Sequence, residues 1–263
     1  MATNYGPVLD VDPRYIECFY DGNVKYIDGS TWKSAAHSEL VCNNPNRANV
    51  EMVGGPTYTQ LGTTGYWTFN GTSQYGYIRN LNYGANGEHG PSQNGRLPEL
   101  TCGSWFRTTY DSGEGGPNYA SSNWSWLDWD RSEVISWNIS GGGYLNFAGR
   151  SNVTCCYDVY GNTKLNDGQW HFGVVVASSS GGYIRFYVDG EVDRNWPNTF
   201  SYFGAGTRRW GFVADGSEAG SENAGRNSIY YEGDLSQTFL LSTNWSDEQV
   251  KQHWEKTKAR YGL

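Results

Sequence analysis

The segment Asp128-Trp-Asp-Arg-Ser-Glu133 gathers three carboxylates. Paired carboxylates are what cleavage of a glycosidic bond needs, one as nucleophile or base and one as acid. A trio Asp128, Asp130 and Glu133 on one concave strand would supply them. The competing reading makes Trp124–Asp130 and Glu133–Asn138 two strands of a hairpin that turns at Arg131-Ser132. Asp130 and Glu133 then flank a turn in water and no catalytic residue is assigned. The hairpin is the reading adopted, and with it a protein that is not an enzyme.

Sugar binding is the stronger expectation on the same strand. Alternation puts Trp124, Trp126, Asp128 and Asp130 on one face, with Leu127 and Trp129 on the other. Rings can stack on the apolar side of a pyranose while carboxylates accept its hydroxyl hydrogens. Tyr183, Arg185 and Tyr187 are expected to extend that face. Other chemistry is poorly provided for. His37, His89, His171 and His253 form no pair at metal-ligand spacing. The sequence has no Gly-x-Ser-x-Gly elbow, and Cys155-Cys156 lacks a His partner in sequence. Cys18, Cys42, Cys102, Cys155 and Cys156 are odd in number and read as small buried thiols. The Gly-rich loop Asp111–Pro117 precedes no Lys-bearing helix and is no phosphate cradle.

Short alternating segments must position these residues. They include Tyr66–Asn70, Gly76–Asn80, Gly103–Tyr110, Tyr144–Ala148, Trp170–Ala177, Tyr183–Asp189, Arg208–Val213 and Ser228–Leu241, the last readable as two strands. Turn residues separate them, as in a sandwich or barrel rather than βαβ units. Parity buries Ile184, Phe186 and Val188 between sheets and leaves Tyr183, Arg185, Tyr187 and Asp189 on a wetter, open face. The stretches Asp21–Pro56 and Tyr83–Leu97 read as long loops, so residues 1–60 form a loop-rich N-terminal part. A helix is expected over 246–260. Ser246 caps it, Asp247, Glu248 and Gln249 fill its first turn, and Val250, Trp254, Thr257 and Tyr261 form one face.

Composition agrees with a β protein. Of 263 residues, 37% are hydrophobic and 17% charged, with 35 Gly, 12 Trp and 20 Tyr. One domain spanning 1–263 is the expectation. The net charge of −8 comes without a basic stripe, which argues against nucleic-acid binding. No apolar run reaches the roughly 18–20 residues that span a bilayer, so membrane insertion is not expected. The start, Met1 to Pro7, has neither a charged nor an apolar leader region, so synthesis and folding in a cytoplasm are expected. On that basis five Asn-x-Ser/Thr sequons, at Asn70, Asn123, Asn138, Asn152 and Asn244, reflect composition alone.

Leu165-Asn-Asp-Gly-Gln-Trp-His-Phe-Gly-Val-Val-Val176, followed by Ile184-Arg-Phe-Tyr-Val-Asp-Gly190, resembles the best-marked part of laminin-G-like domains of the concanavalin-A-like superfamily. The opening, Gly6–Asp12, Thr31-Trp32, Gly54–Tyr58 and Tyr66–Ile78, is similar to the variety found in phage virion and bacterial surface proteins. So is the tail, from Asn244-Trp-Ser-Asp-Glu-Gln249 to Arg260-Tyr-Gly262, whereas Tyr83–Asn162 aligns with nothing in it. The resemblance implies an all-β fold, a two-sheet antiparallel jelly-roll sandwich with a short C-terminal α-helix. Within it, Trp170 would anchor the sandwich core. Glycosidases of this superfamily carry Glu-x-Asp-x-x-Glu; here Asp128 stands first, about one methylene short of the nucleophile's reach. Calcium is the metal implied, with Asp10, Asp12, Asp189, Asp215 and Glu232 as candidate ligands that no motif fixes. The implied setting is a bacteriophage virion, as a capsid decoration, fibre or tail-appendage subunit. Its partners there would be other virion proteins, further copies of itself and a host surface glycan. A free carbohydrate-binding lectin is the alternative.

Overall fold

The computed structural model describes residues 16–33, 49–78, 96–112, 123–129, 134–154, 157–204, 211–221 and 224–263. The strand Tyr183–Val188 shows how alternation becomes layers. Ile184 and Phe186 are fully buried between two sheets, while Tyr183, Arg185 and Tyr187 face the other way. Asp189 (φ 51°) and Gly190 (φ 84°) then turn the chain back into Glu191–Pro197. A left-handed Asp is uncommon, and its side chain compensates. Asp189 Oδ1 accepts the Phe172 N–H at 2.8 Å, and Oδ2 lies 2.9 Å from His171 Nδ1.

The architecture is a two-sheet antiparallel jelly-roll sandwich with one C-terminal α-helix. The order of the first sheet is Glu191–Pro197, Tyr183–Val188, His171–Ser178, Glu99–Arg107, Glu232–Leu241, Thr64–Asn70, Thr57–Leu61. An eighth strand, Ile16–Asp21, also pairs with Glu232–Leu241. The nine-stranded second sheet runs Tyr157–Lys164, Tyr144–Gly149, Ile135–Ser140, Asn123–Asp128, Gly211–Val213, Tyr75–Ile78, Val50–Val53, Thr31–Trp32, Ile27–Asp28. A separate hairpin joins Asp215–Ser221 to Ala224–Tyr230. The N-terminal part expected as loops therefore contributes short strands to both sheets. Paired backbone, rather than side-chain pattern, defines these strands, and their brevity hid them.

Between the sheets, Trp126 lies against Phe106 (ring centroids 4.2 Å apart) and edge-on to Trp137 (5.3 Å). Trp170 does not join this core. It sits in a second apolar layer, on the outer face of the eight-stranded sheet, 4.8 Å from the Tyr261 ring. The helix Asp247–Thr257 creates that layer. Ser246 and Gln249 close a reciprocal capping box, and a 3₁₀ turn over Lys258–Tyr261 ends at Gly262 (φ 80°). The expected 246–260 helix is thus an α-helix with a tighter last turn. It buries Val250, His253 and Thr257. The fully buried Trp105 ring stacks between Phe172 (5.3 Å) and Tyr261 (4.2 Å), and its Nε1 donates to Thr257 Oγ1 at 3.0 Å. Of the expected thiols, Cys18 and Cys102 are buried and unbridged; Cys42, Cys155 and Cys156 lie outside the described residues.

His253 is the unforeseen member of this layer. Its Nε2 donates to Gln237 Oε1 at 2.8 Å, while Phe172, Phe239 and Trp245 surround the ring. Burial first, then the charges of Arg260 and Lys256, pull its pKa down to about 3. The neutral form is therefore favoured by folding. Its stabilisation is complete above the unfolded value of about 6.5 and is lost as pH falls towards about 3. Chemical denaturation between pH 7 and 3 should show this loss, and His253→Phe should shrink the slope. Independently, Thr257→Val should cost about 1–3 kcal/mol, because it leaves a buried indole N–H unpaired without changing volume much. The urea midpoint measures it.

Candidate functional site

The two outer faces of the sandwich differ in chemistry. The eight-stranded sheet presents the apolar layer just described, sealed by the helix. The nine-stranded sheet presents polar side chains over one part and the aromatic cluster Tyr75, Tyr77 and Phe212 over another. In Ile135-Ser-Trp-Asn-Ile-Ser140, Ile135, Trp137 and Ile139 enter the core, so Ser136, Asn138 and Ser140 point outward. Leu145 and Phe147 do the same for Asn146, and Val159 for Asp158.

These outward groups form a directed chain. Ser136 Oγ donates to Asn138 Oδ1 (2.6 Å), Asn138 Nδ2 to Asn146 Oδ1 (2.8 Å), and Asn146 Nδ2 to Asp158 Oδ1 (2.6 Å). Ser125 Oγ lies 3.0 Å from Ser136 Oγ. A hydroxyl has one proton and that of Ser136 is committed, so Ser125 is the donor. Every link runs toward the Asp158 carboxylate. Ser125, Ser136, Asn138 and Asn146 are buried, whereas Asp158 is half-buried at the rim. At the other end, Asp128 stands opposite Ser136 and Phe212, beside Tyr77 and Tyr75. Tyr230, from the separate hairpin, packs on Tyr75 with ring centroids 6.2 Å apart.

Two carboxylates share this face, and their spacing is decisive. Asp158 stands opposite Ala148, Ala148 opposite Ser136, and Ser136 opposite Asp128. Three strand spacings of about 4.8 Å set the pair about 14 Å apart. Glycosidase carboxylates stand about 5–9.5 Å apart. Asp128 and Asp158 are not such a pair.

The expected sugar face is not assembled as read. Trp137 pairs with Leu127 and Asn138 with Ser125, so Trp126 is the extra residue of a β-bulge. The bulge breaks the alternation: Trp126 enters the core, while Ser125 and Asp128 face outward. The Trp124 side chain, Asp130 and Glu133 lie outside the described residues. The strands Asn123–Asp128 and Ile135–Ser140 do pair as the expected hairpin. Tyr183, Arg185 and Tyr187 belong to the other sheet and the other outer face. That face is not open either. Asp247 of the helix accepts from Arg185 Nη1 (2.6 Å) and from the Tyr187 hydroxyl (2.7 Å). Burial, and then Asp247, raise the Tyr187 pKa.

Among the described residues, the calcium candidates Asp189, Asp215 and Glu232 belong to no metal-holding group. Asp10 and Asp12 lie outside the described residues, and Asp189 is engaged by His171 and the Phe172 amide. Among the described residues no three His, Cys, Asp or Glu side chains are arranged to hold a metal. The polar chain itself went unread in the sequence. The alternation Ile-Ser-Trp-Asn-Ile-Ser was a visible signal, but the links depend on register across four strands.

No family model matches the chain. It is 29% identical over 178 residues to the "Sushi, von Willebrand factor type A, EGF and pentraxin domain-containing protein 1" of Mus musculus, a match covering 65% of this chain and 5% of that protein. The Rattus norvegicus counterpart is 28% identical over the same length. The chain thus spans about a twentieth of these curated relatives. Among solved structures, the binding domain of Paraclostridial Mosquitocidal Protein 1 superposes with a TM-score of 0.60 at 8% identity, over 92% of this chain and 52% of that one. The binding domain of Botulinum Neurotoxin DC in complex with SialylT gives 0.59 at 8%, over 93% and 51%. Domain 4 of AbnA, a GH43 extracellular arabinanase from Geobacillus stearothermophilus, in complex with arabinotriose, gives 0.57 at 11%, over 91% and 98%. At these identities the likeness is one of fold.

Two outcomes test this geometry. Asn138→Leu should remove the acceptor of the Ser136 hydroxyl and the donor to Asn146 Oδ1 and cost about 1–3 kcal/mol, read from urea unfolding. The second concerns His171. Burial opposes its charge, but the hydrogen bonds and charges of Asp189 and Asp167 prevail, and its pKa is raised. A raised folded value stabilises fully below the unfolded pKa of about 6.5 and is lost as pH rises through the folded one. Stability should therefore decline on that alkaline side, and His171→Gln should abolish this part of the profile.

Proposed function

We propose that this chain is a non-catalytic recognition module whose polar outer face, on the nine-stranded sheet, accepts glycan hydroxyls. The observation that carries the reading is the one-way hydrogen-bond chain from Ser125 to Asp158. A sugar hydroxyl can donate, and both ends of the chain accept. Its Ser125 end retains oxygen lone pairs, and its Asp158 end is a half-buried carboxylate at the rim. Entry at the Asp158 end avoids the region where Tyr230 packs on Tyr75. The arabinotriose complex of the AbnA domain, which shares the fold, supplies a first ligand class to try.

The setting proposed is a bacteriophage particle, with the chain as a decoration, fibre or tail-appendage subunit docked on other virion proteins. What supports it is the resemblance of Gly6–Asp12, Thr31-Trp32, Gly54–Tyr58, Tyr66–Ile78 and the tail from Asn244–Gln249 to Arg260–Gly262 to virion and surface sandwiches.

Titration calorimetry with arabinan fragments and host-surface polysaccharides is the test of binding. Wild type should bind one of them, and Asp158→Ala should weaken binding about tenfold or more while the unfolding curve stays cooperative. Silence toward every saccharide would overturn the glycan reading, and release of reducing ends would overturn the non-catalytic one. Mass spectrometry of purified particles checks the setting, which absence of the chain would defeat.

A further inference from the structure

A sandwich with open sheets has edges, and each edge is a row of unpaired backbone groups that other chains can join unless something blunts it. The strand Glu191–Pro197, at one edge of the eight-stranded sheet, carries Glu191, Asp193 and Arg194, ends in proline and is bulged against Tyr183–Val188. It is also buttoned to Tyr157–Lys164, an edge of the other sheet. Asp193 accepts from the Asn162 N–H (2.6 Å) and Thr163 Oγ1 (2.6 Å), and Trp196 Nε1 donates to the Tyr160 carbonyl (2.9 Å). The far edge of the nine-stranded sheet is the two-residue strand Ile27–Asp28.

Another edge strand, Thr57-Tyr-Thr-Gln-Leu61, preceded by Pro56, contains no charge, proline or bulge. It pairs with Thr64–Asn70 in unbroken register, from Leu61 opposite Thr64 to Thr57 opposite Thr68. Its residues are β-branched, aromatic or neutral, and Leu61 is 45% exposed. No charged residue occurs between Glu51 and Arg79. Among the described residues nothing pairs with its outer side.

We propose that this edge is a self-pairing surface, and that its occupant is the same strand of a second copy of this chain, antiparallel about a twofold axis at Thr59. Hydrogen-bond parity fits that partner. The two-residue turn at Gly62-Thr63, with Gly62 at φ 63°, closes on Leu61 and Thr64, which makes Leu61, Thr59 and Thr57 the residues bonded inward. Tyr58 and Gln60 therefore turn their N–H and C=O outward. With Thr59 facing its own copy, Tyr58 of each chain stands opposite Gln60 of the other, and every outward donor meets an acceptor. Thr59 meets Thr59 at a non-hydrogen-bonded position, a favourable cross-strand pair. Charge selects the same occupant. Each copy carries a net −8 and repels another over most of its surface, but not across this neutral stretch. The contact is isologous and closes on itself. One five-residue strand buries less than the about 1,200–2,000 Å² of stable complexes, so the dimer is weak and concentration-dependent.

Sedimentation equilibrium of the full chain from micromolar to millimolar concentration reads it directly. Wild type should pass from monomer to dimer. Thr59→Lys and Thr59→Glu, each placing like charges at the axis, should raise the dissociation constant about tenfold or more, while their equimolar mixture recovers the dimer. Gln60→Pro, which removes an outward N–H and leaves the inward-bonded residues intact, should weaken it too. A chain monomeric at millimolar concentration would overturn the proposal. So would a dimer indifferent to all three substitutions, or charge variants that stay apart when mixed.

Discussion

The clamp on Trp105 decides how one outer face of the sandwich is closed. Its ring lies between Phe172 and Tyr261, and its indole N–H is satisfied by Thr257 of the C-terminal helix. Aromatic side chains bury about 150–250 Å² each, so a sheet face built from Trp105, Trp170, Phe172 and Phe239 cannot stay open to water. The helix answers that need, and Asp247, at its first turn, holds down Arg185 and Tyr187. One outer face is thereby spent on stability. The outer face of the other sheet carries buried polar groups instead.

That remaining face obeys a different constraint. Buried amides and hydroxyls cost free energy unless each finds a partner. The chain from Ser125 through Asn138 and Asn146 meets the condition with a single donor direction and ends on a charge. A fold needing only stability would place apolar residues there and close a third layer, as it does opposite. Asn138, although within a sequon, spends its amide on Asn146 and is buried, so its role lies in the network.

The sequence showed much of the fold and little of the site, for definable reasons. The helix was legible because capping is local: Ser246 and Gln249 are three residues apart and settle each other's partners. The layer assignment of Ile184 and Phe186 followed from alternation alone. Trp170 was placed in the sandwich core by resemblance, but both faces of its sheet are apolar here, and it belongs to the outer layer. Trp126 was misplaced because one inserted residue reverses everything before it, and no local signal announced the bulge. Grouping Trp126 with Tyr187 failed for a deeper reason. Their strands belong to different sheets, and strand order is a property of the whole chain.

Edges and faces then combine. An antiparallel twofold at Thr59 runs perpendicular to the eight-stranded sheet, so pairing keeps the two copies' faces in the same sense. The nine-stranded sheets therefore lie on the same side of the joined sheet, and their polar faces point in one direction. For a ligand repeated along a polysaccharide, that arrangement converts a second weak contact into an intramolecular one, and avidity rises without any new contact. The arrangement costs the sealed face nothing, since the helix Asp247–Thr257 packs over the middle of the sheet and the edge at Thr57–Leu61 lies beyond Thr64–Asn70. A weak edge and a modest polar face, each unremarkable alone, together suit a surface that many copies must grip at once.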